Sequence, residues 1–122
     1  MKKQVQEKGK FGERLAASYF QSLGYFILER NWRKHYFEVD IIAADGETAV
    51  FTEVKYRSGK MYGEAEEFVD ERKMSHLIEA AEIWLGESAW EGDLRFDIVA
   101  ITQENNSHRI EHIPNAFTAD LS

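Results

Sequence analysis

The chain has 122 residues, of which 43% are apolar, and this is enough hydrophobic material for one folded domain spanning residues 1–122. The absence of cysteine excludes disulfides and thiolate metal sites. No apolar run is long enough to span a membrane, and no apolar segment follows the basic start as a secretory signal requires, so we expect a cytoplasmic protein without a membrane partner.

Charge is unevenly distributed along the chain. The formal net charge of −7 argues mildly against a polyanionic partner, yet residues 1–60 hold 11 basic and 8 acidic side chains, whereas residues 61–122 hold 4 and 14. The first half is therefore mildly basic, which suits nucleic acid, and the alternative interpretation is that the asymmetry only maintains solubility.

The first half predicts one helix and three strands. Apolar residues at helical spacing indicate a helix over residues 10–24, with Gly24 as its C-terminal stop. Aromatic and β-branched residues then predict strands over 25–33, 37–45 and 48–57, and "DGE" between the last two is a hairpin signal.

A loop and a second helix follow. Residues 58–67 contain two glycines and mixed polarity, which predicts a loop. An amphipathic pattern predicts a helix over 69–86, with Asp70 as its N-cap and a staple contact between Val69 and Met74.

The remaining residues complete an α/β fold. Strands are predicted over 94–102 and 107–113, the latter ending before Pro114, and Asp97 is interpreted as a structural partner of Arg95 or another base. The turns between the first three strands are too short for crossovers, so these strands should be antiparallel, whereas the second helix can carry the chain to a parallel position. We therefore expect a mixed sheet flanked by helices.

The sequence "FTEVKYR" gathers an acid and two bases on one face of the third strand. Because alternate side chains of a strand share a face, Phe51, Glu53, Lys55 and Arg57 should point the same way. The alternative is that Glu53 and Lys55 form an ordinary exposed ion pair, which contributes little to stability.

The hairpin register predicts a second acid on this face. If "GE" forms a two-residue loop, the ladder continues until Asp40 lies opposite Glu53, with Glu38 as a solvated neighbour. Two opposed carboxylates repel one another unless a cation neutralises them, and hard ions such as Mg²⁺ prefer carboxylate and carbonyl oxygens. Glu13 on the first helix can approach the pair, although the helix dipole alone also favours a glutamate there.

These residues carry a resemblance to known families. Glu13, "EVD" ending at Asp40, and "EVK" with Glu53 and Lys55 resemble the restriction-endonuclease-like superfamily of metal-dependent nucleases and, in layout, are similar to archaeal Holliday-junction resolvases. Four blocks in order resemble the bacterial YraN-type family of uncharacterised proteins: "GERLAASYFQSLGYFILERNWR", "EVDIIAADGETAVFTEVKYR", "ERKMSHLIEAAEIWL" and "RFDIVAI". That family usually has glycine before its E-(I/V)-D, whereas Phe37 here is large enough to narrow access to the site.

The resemblance implies a restriction-endonuclease-like αβββαβ core and a hydrolase dependent on Mg²⁺ or Mn²⁺ that cuts phosphodiester bonds in nucleic acid, with structured or branched DNA as substrate. Asp40, Glu53 and the backbone carbonyl of Val54 would hold the ion. Lys55 would orient or activate water or stabilise the transition state, and Glu13 would reach the ion through water or help to bind a second one. Whether the protein acts as a monomer or a homodimer stays open.

Basic side chains near this site are candidates for phosphate contacts, namely Lys34, His35, Arg57, Lys60, Arg72 and Lys73. Lys73 can also approach the site from the start of its helix, and Trp32 is the best candidate for stacking on a base. The alternative function is a non-catalytic module on a nuclease-like fold that binds nucleic acid or another protein, as the acidic second half and Phe37 suggest.

Overall fold

Two helices and five strands make up the part of the chain that the structure describes. The computed structural model describes residues 2–58 and 69–118, with side chains from residue 9 onward. In chain order the elements are α1 (Lys2–Ser22), β1 (Phe26–Lys34), β2 (Phe37–Asp45), β3 (Thr48–Ser58), α2 (Glu71–Glu87), β4 (Asp93–Glu104) and β5 (Ser107–Phe117). The predicted loop over 58–67 lies outside the described residues, apart from Ser58, which ends β3.

The strands form one mixed sheet, which confirms the predicted architecture. Their order is β1-β2-β3-β4-β5, with β3 and β4 parallel and the other neighbours antiparallel. The prediction was wrong about the end of the last strand, because β5 continues past Pro114 to Phe117. Proline is tolerated there because β5 is an edge strand and the β4–β5 register shifts near that point.

The helices cover opposite faces of the sheet. Ala16 and Phe20 of α1 pack with Val99 and other buried residues on one face, while Leu77 of α2 packs with Phe51 on the other. This division follows from the twofold side-chain alternation of the strands. Within the described ranges, neither helix combines the length and the apolar character needed to cross a membrane.

The predicted helix signals are confirmed at the end of α1 and at the start of α2. Gly24 has a positive φ of 88°, and the N–H of Tyr25 donates to the carbonyl of Phe20 at 3.0 Å, so glycine ends α1 as predicted. The carboxylate of Asp70 accepts a hydrogen bond from the N–H of Lys73 at 2.9 Å and caps α2. The start of α2 is therefore fixed by local sequence.

A fully buried aspartate ties β4 to β5. Asp97 accepts hydrogen bonds from Arg95 Nε at 2.9 Å and from the Asn115 N–H at 3.0 Å, and its carboxylate lies 2.6 Å from His112 Nε2. Burial alone would raise the pKa of Asp97, but the contacts from His112, Arg95 and Asn115 outweigh it and lower the pKa. The predicted structural pairing of Asp97 with Arg95 is confirmed.

Replacement of Asp97 by alanine should strongly destabilise the fold. The change leaves the guanidinium of Arg95 and the ring of His112 partly buried without their shared acceptor, so we expect a loss of about 3–5 kcal/mol in the free energy of unfolding. Urea denaturation followed by circular dichroism measures the loss. The exposed Asp93→Ala is the control and should change stability by less than about 0.5 kcal/mol; equal losses in the two variants would contradict the structural role of Asp97.

Candidate active site

The site begins where β2 and β3 stop pairing. The hairpin has the predicted register, and its last ladder pair is Ile41 with Thr52. The next pair would be Asp40 with Glu53, but the Asp40 carboxylate instead accepts a hydrogen bond from the N–H of Val54 at 2.8 Å. The prediction of a continued ladder is thus wrong at its last step, because a side chain takes the place of a main-chain acceptor.

An open cavity of about 360 Å³ lies beside the Asp40 carboxylate. It is lined from α1 and the first three strands by Gly9, Lys10, Glu13, Asn31, Arg33, Glu38, Asp40 and Val54. Because this lining mixes carboxylates with ammonium and guanidinium groups, the cavity suits a ligand that brings a cation and an anion together, such as a metal-bound phosphate.

Close packing of α1 on the sheet brings Glu13 to this cavity. A Cβ added to Gly12 would lie only 3.3 Å from the side chain of Tyr56, and Ala16 and Ala17 are buried. Small residues therefore allow the close helix approach that the sequence suggested. Glu13 is only 7% exposed and shares the cavity lining with Asp40.

The Asp40 carboxyl group is held where its charge is unfavourable. The pKa of Asp40 is raised to about 8. Burial is the largest cause, the charge of Glu53 adds to the rise, and Glu13 and Glu38 contribute less, while the hydrogen bond from the Val54 N–H lowers the pKa. Asp40 and Glu53 therefore lie close enough to repel one another, although they do not form a ladder pair.

Glu53 is balanced by basic side chains. Burial raises the pKa of Glu53, and the ammonium groups of Lys73 and Lys55 oppose that rise. Lys73 Nζ lies 3.4 Å from Glu53 Oε1, and the Glu53 side chain is only 14% exposed. Because the cap at Asp70 fixes the start of α2, the ammonium group of Lys73 lies beside the Glu53 carboxylate of β3.

The oxygen donors at this site fit a hard divalent cation. The carboxylates of Asp40 and Glu53 are mutually repelling, and a bound cation would stabilise both in their ionised forms. The carbonyl of Val54 points to the same side of β3 as its N–H, toward Asp40. Across residues 2–58 and 69–118, however, no group of three Asp, Glu or His side chains is assembled closely enough to hold an ion, so additional ligands would be water or substrate oxygens.

Arg57 does not belong to the surface that the sequence predicted. Its side chain is 3% exposed, its Nε donates to Thr102 Oγ1 at 2.7 Å, and its Nη2 lies 3.2 Å from Glu111 Oε1. The predicted phosphate contact of Arg57 is therefore wrong, because β4 and β5 enclose the guanidinium.

The other predicted phosphate contacts occupy different environments. Lys34 forms an exposed ion pair with Glu87 at 2.9 Å, and Arg72 is exposed in the first turn of α2. His35 is exposed in the β1–β2 turn, whereas Lys60 lies outside the described residues. Of the predicted set, Lys73 is the residue seen in contact with a candidate catalytic acid.

Four cavity residues were not predicted as site residues by the sequence analysis, namely Gly9, Lys10, Asn31 and Arg33. Asn31 has a positive φ of 52° inside β1. Asparagine tolerates this conformation better than most residues, so "RNWR" carried a signal for a local distortion. Phe37, expected to narrow access, is not among the lining residues, since its ring packs beside His76 of α2 at a centroid distance of 5.6 Å.

Fold and site together define a mixed α/β protein in which Asp40 lines an open cavity with basic residues and is repelled by the nearby carboxyl group of Glu53, which is not among the lining residues. The chain belongs to the uncharacterised protein family UPF0102, whose family model matches residues 12–101. The predicted membership of the YraN-type family is thereby confirmed.

Relatives in distant bacteria match nearly the whole chain. The chain is 41% identical over 115 residues to a UPF0102 protein of Bacteroides thetaiotaomicron, covering 94% of this chain and 95% of the relative. It is 42% identical over 114 residues to one of Persephonella marina, covering 93% and 95%. A relative in Desulforapulum autotrophicum is 40% identical over 121 residues, covering 98% and 100%.

The Asp40 carboxyl group should make stability depend on pH when no divalent ion is present. Its folded-state pKa of about 8 exceeds the ordinary value of 3.8, so its contribution to stability is present below pH 4 and is lost as the pH rises through 8. Asp40→Asn keeps an acceptor for the Val54 N–H without the charge. In EDTA, the free energy of unfolding of this variant, relative to that of the wild type, should increase by about 1–3 kcal/mol when the pH is raised from 5 to 8.5.

Urea denaturation at the two pH values measures this gain, with Asp93→Asn as the control that should show none. A wild-type protein that becomes more stable relative to Asp40→Asn as the pH rises would contradict the unfavourable placement of the charge.

Proposed function

We propose that the protein is a divalent-cation-dependent endonuclease that hydrolyses phosphodiester bonds in nucleic acid, with structured or branched DNA as the first substrate to test. The observation that carries the proposal is the Asp40 carboxyl group, which is partly buried, repelled by Glu53 and open to a cavity with basic residues. A purely structural acid gains nothing from this placement, whereas a cation ligand does. The resemblance to restriction-endonuclease-like nucleases supports the same interpretation.

Asp40, Glu53 and the carbonyl oxygen of Val54 would hold Mg²⁺ or Mn²⁺, with Glu13 acting through a water molecule or helping to bind a second ion. When bound, the ion would polarise a phosphate oxygen and lower the pKa of a coordinated water. The hydrogen bond from the Val54 N–H fixes one Asp40 oxygen before any ligand arrives, so the acid does not have to be reoriented at the time of reaction.

The basic residues have separate roles in this proposal. Lys55 is near enough to Glu53 to lower its pKa, so its ammonium group is placed to orient the attacking water or to stabilise charge on the phosphate in the transition state. Lys73 neutralises Glu53 until a cation replaces it. Lys10 and Arg33 at the cavity would bind the phosphates that flank the cleaved bond.

A cleavage assay tests the proposal directly. The purified protein should cut at least one of single-stranded, duplex, flap or four-way DNA in Mn²⁺ or Mg²⁺ and should be inactive in EDTA. Asp40→Asn, Glu53→Gln and Lys55→Met should each reduce the rate by about 10²-fold or more, because each removes a charge needed in the transition state. Glu79→Gln, an exposed position on α2, is the control and should retain activity.

Absence of cleavage by the wild type on every substrate would contradict the nuclease proposal. Equal cleavage by the wild type and Asp40→Asn would do the same, since the activity would then come from another protein.

A non-catalytic binding module is the second candidate. It is favoured by the ion pair between Lys73 and Glu53, which already neutralises one acid without a metal, and by the lack of a three-ligand group in the described residues. Metal binding separates the two functions.

Isothermal titration with Mn²⁺ at pH 8 should show binding to the wild type. Glu53→Gln and Asp40→Asn should each weaken that binding more than about tenfold, since each loses a charged ligand, and Glu79→Gln should leave it unchanged. No detectable binding to the folded wild-type protein would favour the binding module.

A further inference from the structure

Tyr36 is the most exposed of the large hydrophobic side chains in the described residues. It is 93% exposed and lies in the two-residue turn between β1 and β2, next to His35, whose φ is +56°. A fully hydrated aromatic ring adds nothing to the core and exposes apolar surface. Its position on the β1–β2 turn leaves the ring open to a partner outside the chain.

The residues before Tyr36 make this turn attractive to a polyanion. Arg33 and Lys34 precede His35, and both are ion-paired, to Glu38 at 3.3 Å and to Glu87 at 2.9 Å. All four of these side chains are at least 43% exposed, so the pairs are weak and phosphates can replace the carboxylates. The turn thus combines an aromatic face with cations, as surfaces that bind single-stranded nucleic acid do.

The turn also lies close to the candidate active site. β2 runs from Phe37 through Asp40, so Tyr36 is four residues from the acid, or about 13 Å along an extended strand. That distance corresponds to about four stacked nucleotides at about 3.4 Å each, and fewer in an extended strand. Arg33 belongs both to the cavity lining and to the basic run before the turn, so it connects the two.

The other aromatic candidates do not have these properties. Trp32, predicted from the sequence as the stacking residue, packs against the core cluster that contains Val39 and Trp84. Phe26 is 74% exposed but lies at the opposite end of β1, eight residues before Lys34. Phe26 is therefore a matched control for an exposed aromatic residue on the same strand.

We propose that Tyr36 stacks on an unpaired base of a nucleic-acid strand that passes from the β1–β2 turn into the Asp40 cavity. The partner class is single-stranded nucleic acid, or the single-stranded part of a branched molecule. Stacking selects unpaired bases because a paired base in a duplex has no free face, and this would favour forks and flaps over plain duplex. The inference rests on the proposed function, because that function is the reason to lead the nucleic-acid strand into the Asp40 cavity, but base stacking itself requires no cleavage.

Fluorescence anisotropy in EDTA, where no cleavage should occur, tests the proposal. The probes are a labelled single strand in DNA and RNA forms, a forked duplex and a blunt duplex. Tyr36→Ala should weaken binding to the single strands and the fork by about 5- to 100-fold and leave duplex binding unchanged. Tyr36→Phe, which keeps the ring, and Phe26→Ala should both stay within about threefold of the wild type.

A base analogue gives a second readout that a structural role would not affect. With 2-aminopurine at successive positions of the single-stranded arm, the wild type should quench the fluorescence at one or two positions, and Tyr36→Ala should abolish that quenching. Unchanged binding and quenching in Tyr36→Ala, or an equal loss in Phe26→Ala, would overturn the proposal.

The outcomes separate this inference from the nuclease proposal. Tyr36-dependent binding without cleavage in Mn²⁺ would support the stacking residue and overturn the nuclease. Cleavage by the wild type that is unaffected in Tyr36→Ala, with unchanged binding, would leave the nuclease and overturn the stacking residue. Failure of the wild type to bind any of the probes at low salt would overturn both.

Discussion

The candidate site depends on the hydrogen bond from the Val54 N–H to the Asp40 carboxylate. This bond forms one step beyond the last β2–β3 ladder pair and holds an acid in a partly buried position near Glu53. One backbone donor does not offset the burial and the like charge, so the folded protein disfavours the ionised form of Asp40. A hard cation bound beside the two carboxylates would offset this cost.

Local sequence features assemble the rest of the site around this acid. Gly12 and the alanines of α1 permit close packing, which places Glu13 at the cavity. Asp70 caps α2 and so fixes the first helical turn, from which Lys73 reaches Glu53. The packing of α1 and the capping of α2 therefore stabilise the fold and also place Glu13 at the cavity and Lys73 beside Glu53. Neither charged side chain belongs to the hydrophobic core.

Much of this arrangement follows from periodicity and turn chemistry. "DGE" sets the hairpin register, and the alternation of "FTEVKYR" separates Phe51, which packs under α2, from Val54, which packs under α1. Alternation gives the face of a side chain but not its depth. Arg57 lies on the predicted strand and is nevertheless enclosed, because parallel pairing of β3 with β4 places Thr102 beside it and Glu111 reaches it from β5.

The burial of side chains and local distortions of β1 and β2 also explain why other features were not predicted from the sequence. Trp32 was predicted as the stacking residue because it lies among basic residues, and Tyr36 was not predicted, because exposure depends on how β1 packs over α2, which no short motif encodes. Asn31 takes a left-handed conformation inside a strand and lines the cavity; asparagine tolerates this conformation, but its presence alone does not predict that the chain adopts it there. The loss of the predicted Asp40–Glu53 ladder pair could not be foreseen either, because the Asp40 carboxylate accepts the hydrogen bond from the Val54 N–H in place of a main-chain carbonyl.

The most direct measurement is a carbon-13 NMR titration of the Asp40 carboxyl group, assigned by comparison with Asp40→Asn, with and without Mg²⁺. We expect a pKa of about 8 for Asp40 in EDTA and a clear downward shift when Mg²⁺ is added, because the ion binds the ionised form. A pKa near 4 that Mg²⁺ does not change would contradict this expectation, since Asp40 would then be an ordinary solvated acid with no use for a cation.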